Sequence, residues 1–331
     1  MAEEFALIAE LQRRLGQGGS GVQTGIGDDG AVLETQGMPL VASTDTLVAG
    51  RHFFADVGAA DLAWKSLAVN LSDLAAMGAV PRWALLNLAL PAGMAHGDWV
   101  ANFCEGWQAL ASRAGISLVG GDTVATDGPL LVTVTALGVL QGPALLRSGA
   151  MPGDWIAVTG TLGDAALALE RQLQLRRGED PEVLPGAEDW EKRRLRPWPR
   201  WELGQQASRL GLRCAADVSD GFLADLGHIL QASDVGARIL VEHIPLHPAL
   251  AAWIDEDWER LVRTALTGGD DYELILCGPP ARWPQLQELA RAAGVQLSQV
   301  GEILPAGQGL QLYWHGQQQQ LPSRLGHVHA L

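Results

Sequence analysis

Residues 64–81 read WKSLAVNLSDLAAMGAVP. From Asp61 to Met77 the apolar residues return at spacings of three and four, the period of an α-helix. Asp73 interrupts that pattern from inside the helix, where an unpaired carboxylate is costly to bury. Working outward, the same period recurs from Asp98 to Arg113, a second helix. Strands are expected at Trp83–Leu90, Ile116–Val119 and Leu130–Leu140, the last alternating Val132, Val134 and Ala136 with threonines. Toward the N-terminus stand two β-like runs, Ala31–Leu33 and Pro39–Ser43. Before them come the Gly-rich GQGGSGVQTGIGDDG, where no regular element is expected, and an amphipathic helix from about Glu3 to Leu15. These elements make a mixed α/β unit, residues 1–145.

Residues 146–331 read as a second, α+β unit. It has strands at Trp155–Thr159, Arg213–Asp217, Ala237–Val241 and Tyr272–Cys277. Its helices follow the turn GTLGD as far as Glu170, then cover Trp201–Leu210, Gly221–Ala232 and Trp283–Ala293. The charged, Pro-rich stretch 171–200 reads as a surface excursion with its own helical turn. The only low-complexity tract is Gln317–Gln320.

The 331 residues carry 23 Lys plus Arg against 38 Asp plus Glu, a net charge of −15, with 47% hydrophobic residues. That composition is globular and excludes a phosphate-binding basic face, so neither nucleic acid nor an anionic membrane is an expected partner. No apolar run reaches the ~18 residues of a transmembrane helix. The N-terminus carries acid where a signal peptide carries base. Cys104, Cys214 and Cys277 stand in no metal-site or disulfide spacing, which fits a reduced, cytoplasmic protein.

Gly25, Gly27 and Gly30 spell GxGxxG, but that fingerprint must follow a strand and open a helix. Here a strand-like run follows, and Asp28 and Asp29 sit where pyrophosphate would lie. Aspartate beside glycine, serine or threonine does recur, in GIGDDGA, STDT, NLSDLAAMG, GGDT, DVSDG and GGDDYE. Each alone is also a common turn or N-cap pair. Six in one acidic chain suggest carboxylates gathered around hard cations, and oxygen ligands with small neighbours suit Mg²⁺ bridging to phosphates. Arg147 is the best cationic candidate for a phosphate contact. No serine or cysteine nucleophile has a recognisable partner.

The clusters resemble a known family. GIGDDGAV (25–32), STDTLVAGRHF (43–53), WKSLAVNLSDLAAMGAVP (64–81), GGDT (120–123), RSGAMPGDWIAVTGTLGDA (147–165), DVSDGFLADLGHI (217–229) and GGDDYELI (268–275) are similar to the motifs of thiamine-monophosphate kinases, in order and spacing. These belong to the aminoimidazole-ribonucleotide-synthetase-like superfamily. The likeness runs from Phe5 to about Gly326. It implies a two-domain α/β (α+β) fold whose N-terminal mixed sheet pairs in a homodimer, and a cytoplasmic enzyme that uses ATP to phosphorylate thiamine monophosphate to thiamine diphosphate. It also implies that Asp29, Ser43, Thr44, Asp45, Asp73, Asp122, Asp217 and Asp220 hold several Mg²⁺ ions. Gly121, Asp122, Arg147 and Ser219 would touch ATP, and His52, Asp270 and His327 would face the thiamine phosphate. Two positions depart from the family pattern: Asp270, where many relatives carry Glu, and His327, where an aromatic residue is expected. Sister enzymes fit less well. A selenophosphate synthetase needs a reactive Cys in the Gly-rich N-terminal loop, and a hydrogenase-maturation relative needs a C-terminal one.

Overall fold

In the computed structural model, which describes residues 22–24, 31–35, 37–92, 94, 98–182, 184 and 186–327, the helix read from residue 61 is Ala59–Ala76, α1. Apolar residues surround α1, and all of its positions except Ala60, Asp61 and Asp73 are buried. A helix that is hydrophobic all round belongs between layers, and α1 lies between two sheets.

The first sheet has the order β1-β2-β3-β6-β4-β5. Its strands are β1 (Val22–Thr24), β2 (Ala31–Thr35), β3 (Met38–Val48), β4 (Ala79–Pro91), β5 (Ser117–Thr126) and β6 (Leu131–Leu140). Only β4 and β5 run parallel. Parallel neighbours need a crossover, and α2 (Asp98–Ala114) supplies it. Leu67, Leu71 and Leu74 of α1 pack with Val132, Val134 and Ala136 of β6 in one core. Truncating Leu71 to Ala would cost about 2–5 kcal/mol. The opposite face stays open: Thr44, Thr46, Leu85, Asn87 and nearly all of β5 are exposed.

The second sheet has the order β13-β12-β9-β11-β7-β10-β8. Its strands are β7 (Trp155–Thr159), β8 (Cys214–Asp217), β9 (Gly236–Leu240), β10 (Leu274–Gly278), β11 (Leu297–Leu304), β12 (Leu310–Trp314) and β13 (Gln317–Gln319). Strands β7, β8 and β10 are buried on both faces. Trp155 and Ala157 turn toward the core shared with α1, while Ile156 and Val158 turn toward a second core. That second core contains Leu167 of α3 (Asp164–Arg176) and Leu223 and Leu226 of α6 (Phe222–Ser233). The remaining helices are α4 (Ala187–Leu195), α5 (Trp201–Arg209), α7 (Pro248–Ile254), α8 (Trp258–Leu261) and α9 (Trp283–Ala292).

The structure corrects or extends the sequence reading at four places. Val22–Thr24, inside the stretch expected to be irregular, is a strand. β5 continues through GGDT, because an edge strand tolerates glycines that would weaken a central one. The Gln tract is the edge strand β13, and α7, α8, β11 and β12 occupy stretches for which the sequence pattern predicts no element. The N-terminal helix and the GxGxxG glycines lie outside the described residues.

Candidate active site

Lys65 and Ser72, seven residues apart, share one row along α1, and Asp73 stands about 100° around the helix from Ser72. The row points into the junction of the two sheets. The Ser43 hydroxyl of β3 donates to Asp73 Oδ2. The Ser72 hydroxyl donates to Asp217 Oδ2, at the end of β8, at 2.6 Å. Lys65 Nζ meets Asp270 Oδ2 at 2.5 Å across 205 residues of chain. The Tyr272 hydroxyl donates to Asp270 Oδ1 at 3.0 Å. Burial, then the carboxylates of Asp270, Asp45 and Asp217, push the Tyr272 phenol well above its ordinary range. Asp45 and Asp73 of the first sheet's layer and Asp217 and Asp270 of the second therefore share one neighbourhood.

Two loops close that neighbourhood. Between β8 and α6 the backbone N–H groups of Ser219, Asp220 and Gly221 all donate to Asp225 Oδ2, at 3.0–3.1 Å. Asp225 thereby shapes the turn that carries Ser219 and Asp220. The second loop, 268–273, lies along the first: Asp270 N donates to Ser219 O and Tyr272 N to Val218 O, each at 2.8 Å. The C-terminal segment arrives here too, with His327 N donating to Asp220 O at 2.8 Å.

Arg147 opens a short 3-10 turn at residues 147–149, packed against α6. His228 of α6 stands beside it. Burial and the Arg147 guanidinium lower the His228 pKa to about 4, so His228 is neutral near pH 7. Asp220, Asp225 and His228 bring possible ligand atoms within 4.8 Å of one another. Asp225 is already committed to three amides and Arg147 repels a cation, so this corner suits hydrogen bonding better than a metal.

Other residues singled out in the sequence lie elsewhere. Asp29 is outside the described residues. Thr44 turns to the open sheet face, its hydroxyl bonded to Val134 O at 3.0 Å and to Thr135 at 2.9 Å. His52 accepts the Val48 N–H on Nδ1 at 3.0 Å, which leaves its proton on Nε2. Gly121 pairs with Leu86 on β4; its φ is +149° and a Cβ there would lie 1.8 Å from Leu86 O, so only glycine fits. Asp122 follows, in register with Asn87, Thr133 and Thr46. Paired residues share a face, so Asp122 lies on the open face, three strand spacings or about 14 Å from β3.

Lys65, Ser72, Asp225 and Tyr272 escaped the sequence reading. A lysine in a helix usually reads as a solvated charge. The available signal was its place inside the apolar run of α1, seven residues or about two turns before Ser72.

The model of AIR synthase related protein, N-terminal domain, matches residues 27–140, and that of its C-terminal domain matches residues 151–313. The thiamine-monophosphate kinase of Escherichia coli K12 is 44% identical over 93% of this chain and 92% of its own. The crystal structure of thiamine-monophosphate kinase from Stenotrophomonas maltophilia K279a is 41% identical, with a TM-score of 0.75 over 95% of this chain and 97% of that one. AaThiL complexed with AMPPCP and TMP is similar at 28% identity, with a TM-score of 0.82 over 99% and 97% of the two chains. With both halves matched and this identity sustained over nine-tenths of the chain, the protein belongs to the thiamine-monophosphate kinase family, on the AIR-synthase-related fold.

Proposed function

We infer that the chain transfers the γ-phosphoryl group of ATP to thiamine monophosphate, giving thiamine diphosphate and ADP. The observation that carries this reading is the meeting of Asp45, Asp73, Asp217 and Asp270 around α1 and Tyr272. A site of carboxylates and hydroxyls cannot hold two phosphate chains unaided, and oxygen-only donors fit Mg²⁺. Asp29, Ser43, Asp45, Asp73, Asp217 and Asp220 are the residues that would hold it there; Asp122, on the open face, would do so from a second copy, and the Thr44 hydroxyl, bonded on that face, lies outside the set. Mg²⁺ bound there supplies neutralisation of the phosphate charges and stabilisation of the leaving diphosphate.

The chain's own residues align the reactants. The acceptor is a phosphate oxygen, ionised at neutral pH, so no side chain has to remove a proton. Gly121 and Ser219 would hold ATP alongside Asp122 and Arg147, with the Arg147 guanidinium on its phosphates. His52, Asp270 and His327 would seat thiamine monophosphate, Asp270 opposite the thiazolium charge. Lys65 and Tyr272 keep the Asp270 carboxylate in one orientation.

The same reading includes a homodimer. Leu118, Val119 and Val124 are exposed on the edge strand β5, which supports pairing of two copies along that sheet. Asp122 stands on the open face, so its role with metal and ATP would be exercised at the junction of the copies. The domain boundary falls at 145/146, between the two sheets. No described helix is long and apolar enough to cross a membrane, and a cytoplasmic place suits an ATP-consuming enzyme. Incubation with ATP, Mg²⁺ and thiamine monophosphate should yield thiamine diphosphate and ADP. ADP release without thiamine diphosphate would refute the acceptor.

A further inference from the structure

Segment 171–200 has no part in the mechanism above, yet its arginines reach the back of the loop that carries Asp270. Arg200 grips Glu273 with two prongs, Nε to Oε2 and Nη2 to Oε1, each at 2.6 Å. Arg193 joins the same carboxylate at 3.1 Å and also holds Asp164 and the carbonyl of Thr161. Glu273 is only 1% exposed. It accepts the Thr159 hydroxyl as well, at 2.7 Å. Next to it Asp271 accepts the Gly163 N–H at 2.7 Å, just before α3.

Loop 268–273 thus has two sides. Asp270 and Tyr272 face α1 and the acidic neighbourhood, whereas Asp271 and Glu273 face α3 and the arginines. Asp270 and Tyr272 have φ of +73° and +51°. Side-chain-bearing residues hold the left-handed region only where their surroundings over-determine it. Fixing the back of such a loop fixes the direction of its front. Space also confines Glu273: a Cβ on Gly160, whose φ is +58°, would lie 2.0 Å from Oε1. The same segment reaches the other turn assigned to the substrate. Arg176 bonds both oxygens of Asp56, at 2.7 and 2.9 Å, and its guanidinium lies 3.9 Å from the Phe54 ring centre, two residues beyond His52.

We propose that Arg193 and Arg200, acting through Glu273, are positioning residues that aim Asp270 and so set the affinity for thiamine monophosphate while leaving ATP binding alone. This rests on the function proposed above. A buried carboxylate between two guanidiniums is a weak source of net stability. What the planar fork supplies is a fixed direction. Of the groups assigned to ATP, Arg147 sits on another element, and Ser219, whose carbonyl accepts the Asp270 N–H, is held from its own side by Asp225.

The test is calorimetric titration of the full chain, with Mg²⁺, by thiamine monophosphate and separately by AMPPCP. Arg193→Gln is the milder change because Arg193 is one-third exposed and Arg200 keeps its grip on Glu273; Glu273→Gln is the second variant. Each should weaken thiamine monophosphate about tenfold, and AMPPCP less than about twofold, while Arg193→Gln added to Asp270→Ala should have under about twofold further effect, since coupled neighbours are non-additive. A merely structural role would weaken both ligands alike, or repeat its full loss in the Asp270→Ala background, and either result overturns the inference. Unchanged thiamine monophosphate affinity in both single variants overturns it alone. Failure of the parent chain to bind thiamine monophosphate overturns the proposed function and this inference together.

Discussion

Asp217 and Glu273 are buried to a similar degree, 3% and 1% exposed, within one antiparallel pair of chain segments. Their surroundings differ. Around Asp217 the carboxylates meet hydroxyls, Ser72 on Asp217 and Ser43 on Asp73, while Asp270 takes both the Tyr272 hydroxyl and the Lys65 ammonium. Around Glu273 they meet the permanent cations Arg193 and Arg200. Hydroxyl partners leave the negative charge in place for an exchangeable cation, whereas guanidiniums cancel it for good. On the function proposed, one chain uses buried acid in two ways, for ligand binding in front of loop 268–273 and for architecture behind it.

The largest expected effect breaks the rear cluster. Arg200→Ala leaves Glu273 without its two-pronged partner and should lower unfolding free energy by about 3–5 kcal/mol, with or without Mg²⁺. Urea unfolding with and without EDTA checks this. A Mg²⁺-dependent loss would mean that the two clusters are not distinct.

Asp73→Asn should do the reverse. Asn keeps the size and one acceptor for Ser43 but removes the charge, so turnover should fall on the order of a hundredfold. The melting temperature in EDTA should stay equal or rise, because one member of a self-repelling group is gone. Normal turnover would detach Asp73 from the metal site.

Arg147→Ala sharpens the front cluster into its two halves. ATP should weaken by about 1.5–3 kcal/mol, the worth of a charged contact, while thiamine monophosphate affinity holds. A loss confined to thiamine monophosphate would reverse the assignment.

The smallest effect is a pH dependence at the rear. Burial pushes the Asp271 carboxyl up from 3.8 to about 7, against the Gly163 amide and Arg193, which pull it down. The fold therefore favours the protonated form. That contribution is complete below pH 3.8 and is lost as pH rises toward 7. Asp271→Asn mimics the neutral acid, so its melting temperature should match the parent's near pH 4 and exceed it at pH 8. Thermal scans at both values decide it, and equal curves at pH 8 would count against a raised Asp271.

Much of the front was legible because its determinants are local. The period of α1 is written in consecutive residues, and Asp73 stands out as an acid within it. The alternation of Val132, Val134 and Ala136 likewise gave β6. The rear was not legible, since Arg193 and Arg200 find Glu273 across 80 and 73 residues. A run of charges and prolines has the composition of a solvated excursion, and nothing in it names a buried acid far down the chain. Lys65 failed for the same reason. The positive φ of Asp270 and Tyr272 was equally hidden, because a Tyr beside a β-rich run reads as strand, and the strand begins only at Leu274.

The contact between Lys65 and Asp270 spans 205 residues. At a synthesis rate of about 5–20 residues per second, roughly 10–40 seconds pass between the two leaving the ribosome. During that interval α1 has a sheet on one side only, and the lysine that will be 4% exposed has no acid from the second half to meet. The first sheet and α1 therefore emerge as a half-finished layer whose central helix awaits residues from 270 onward. A nascent chain arrested before residue 270 should be an easy substrate for proteases and chaperones, and release of the complete chain should mark the onset of protection in α1.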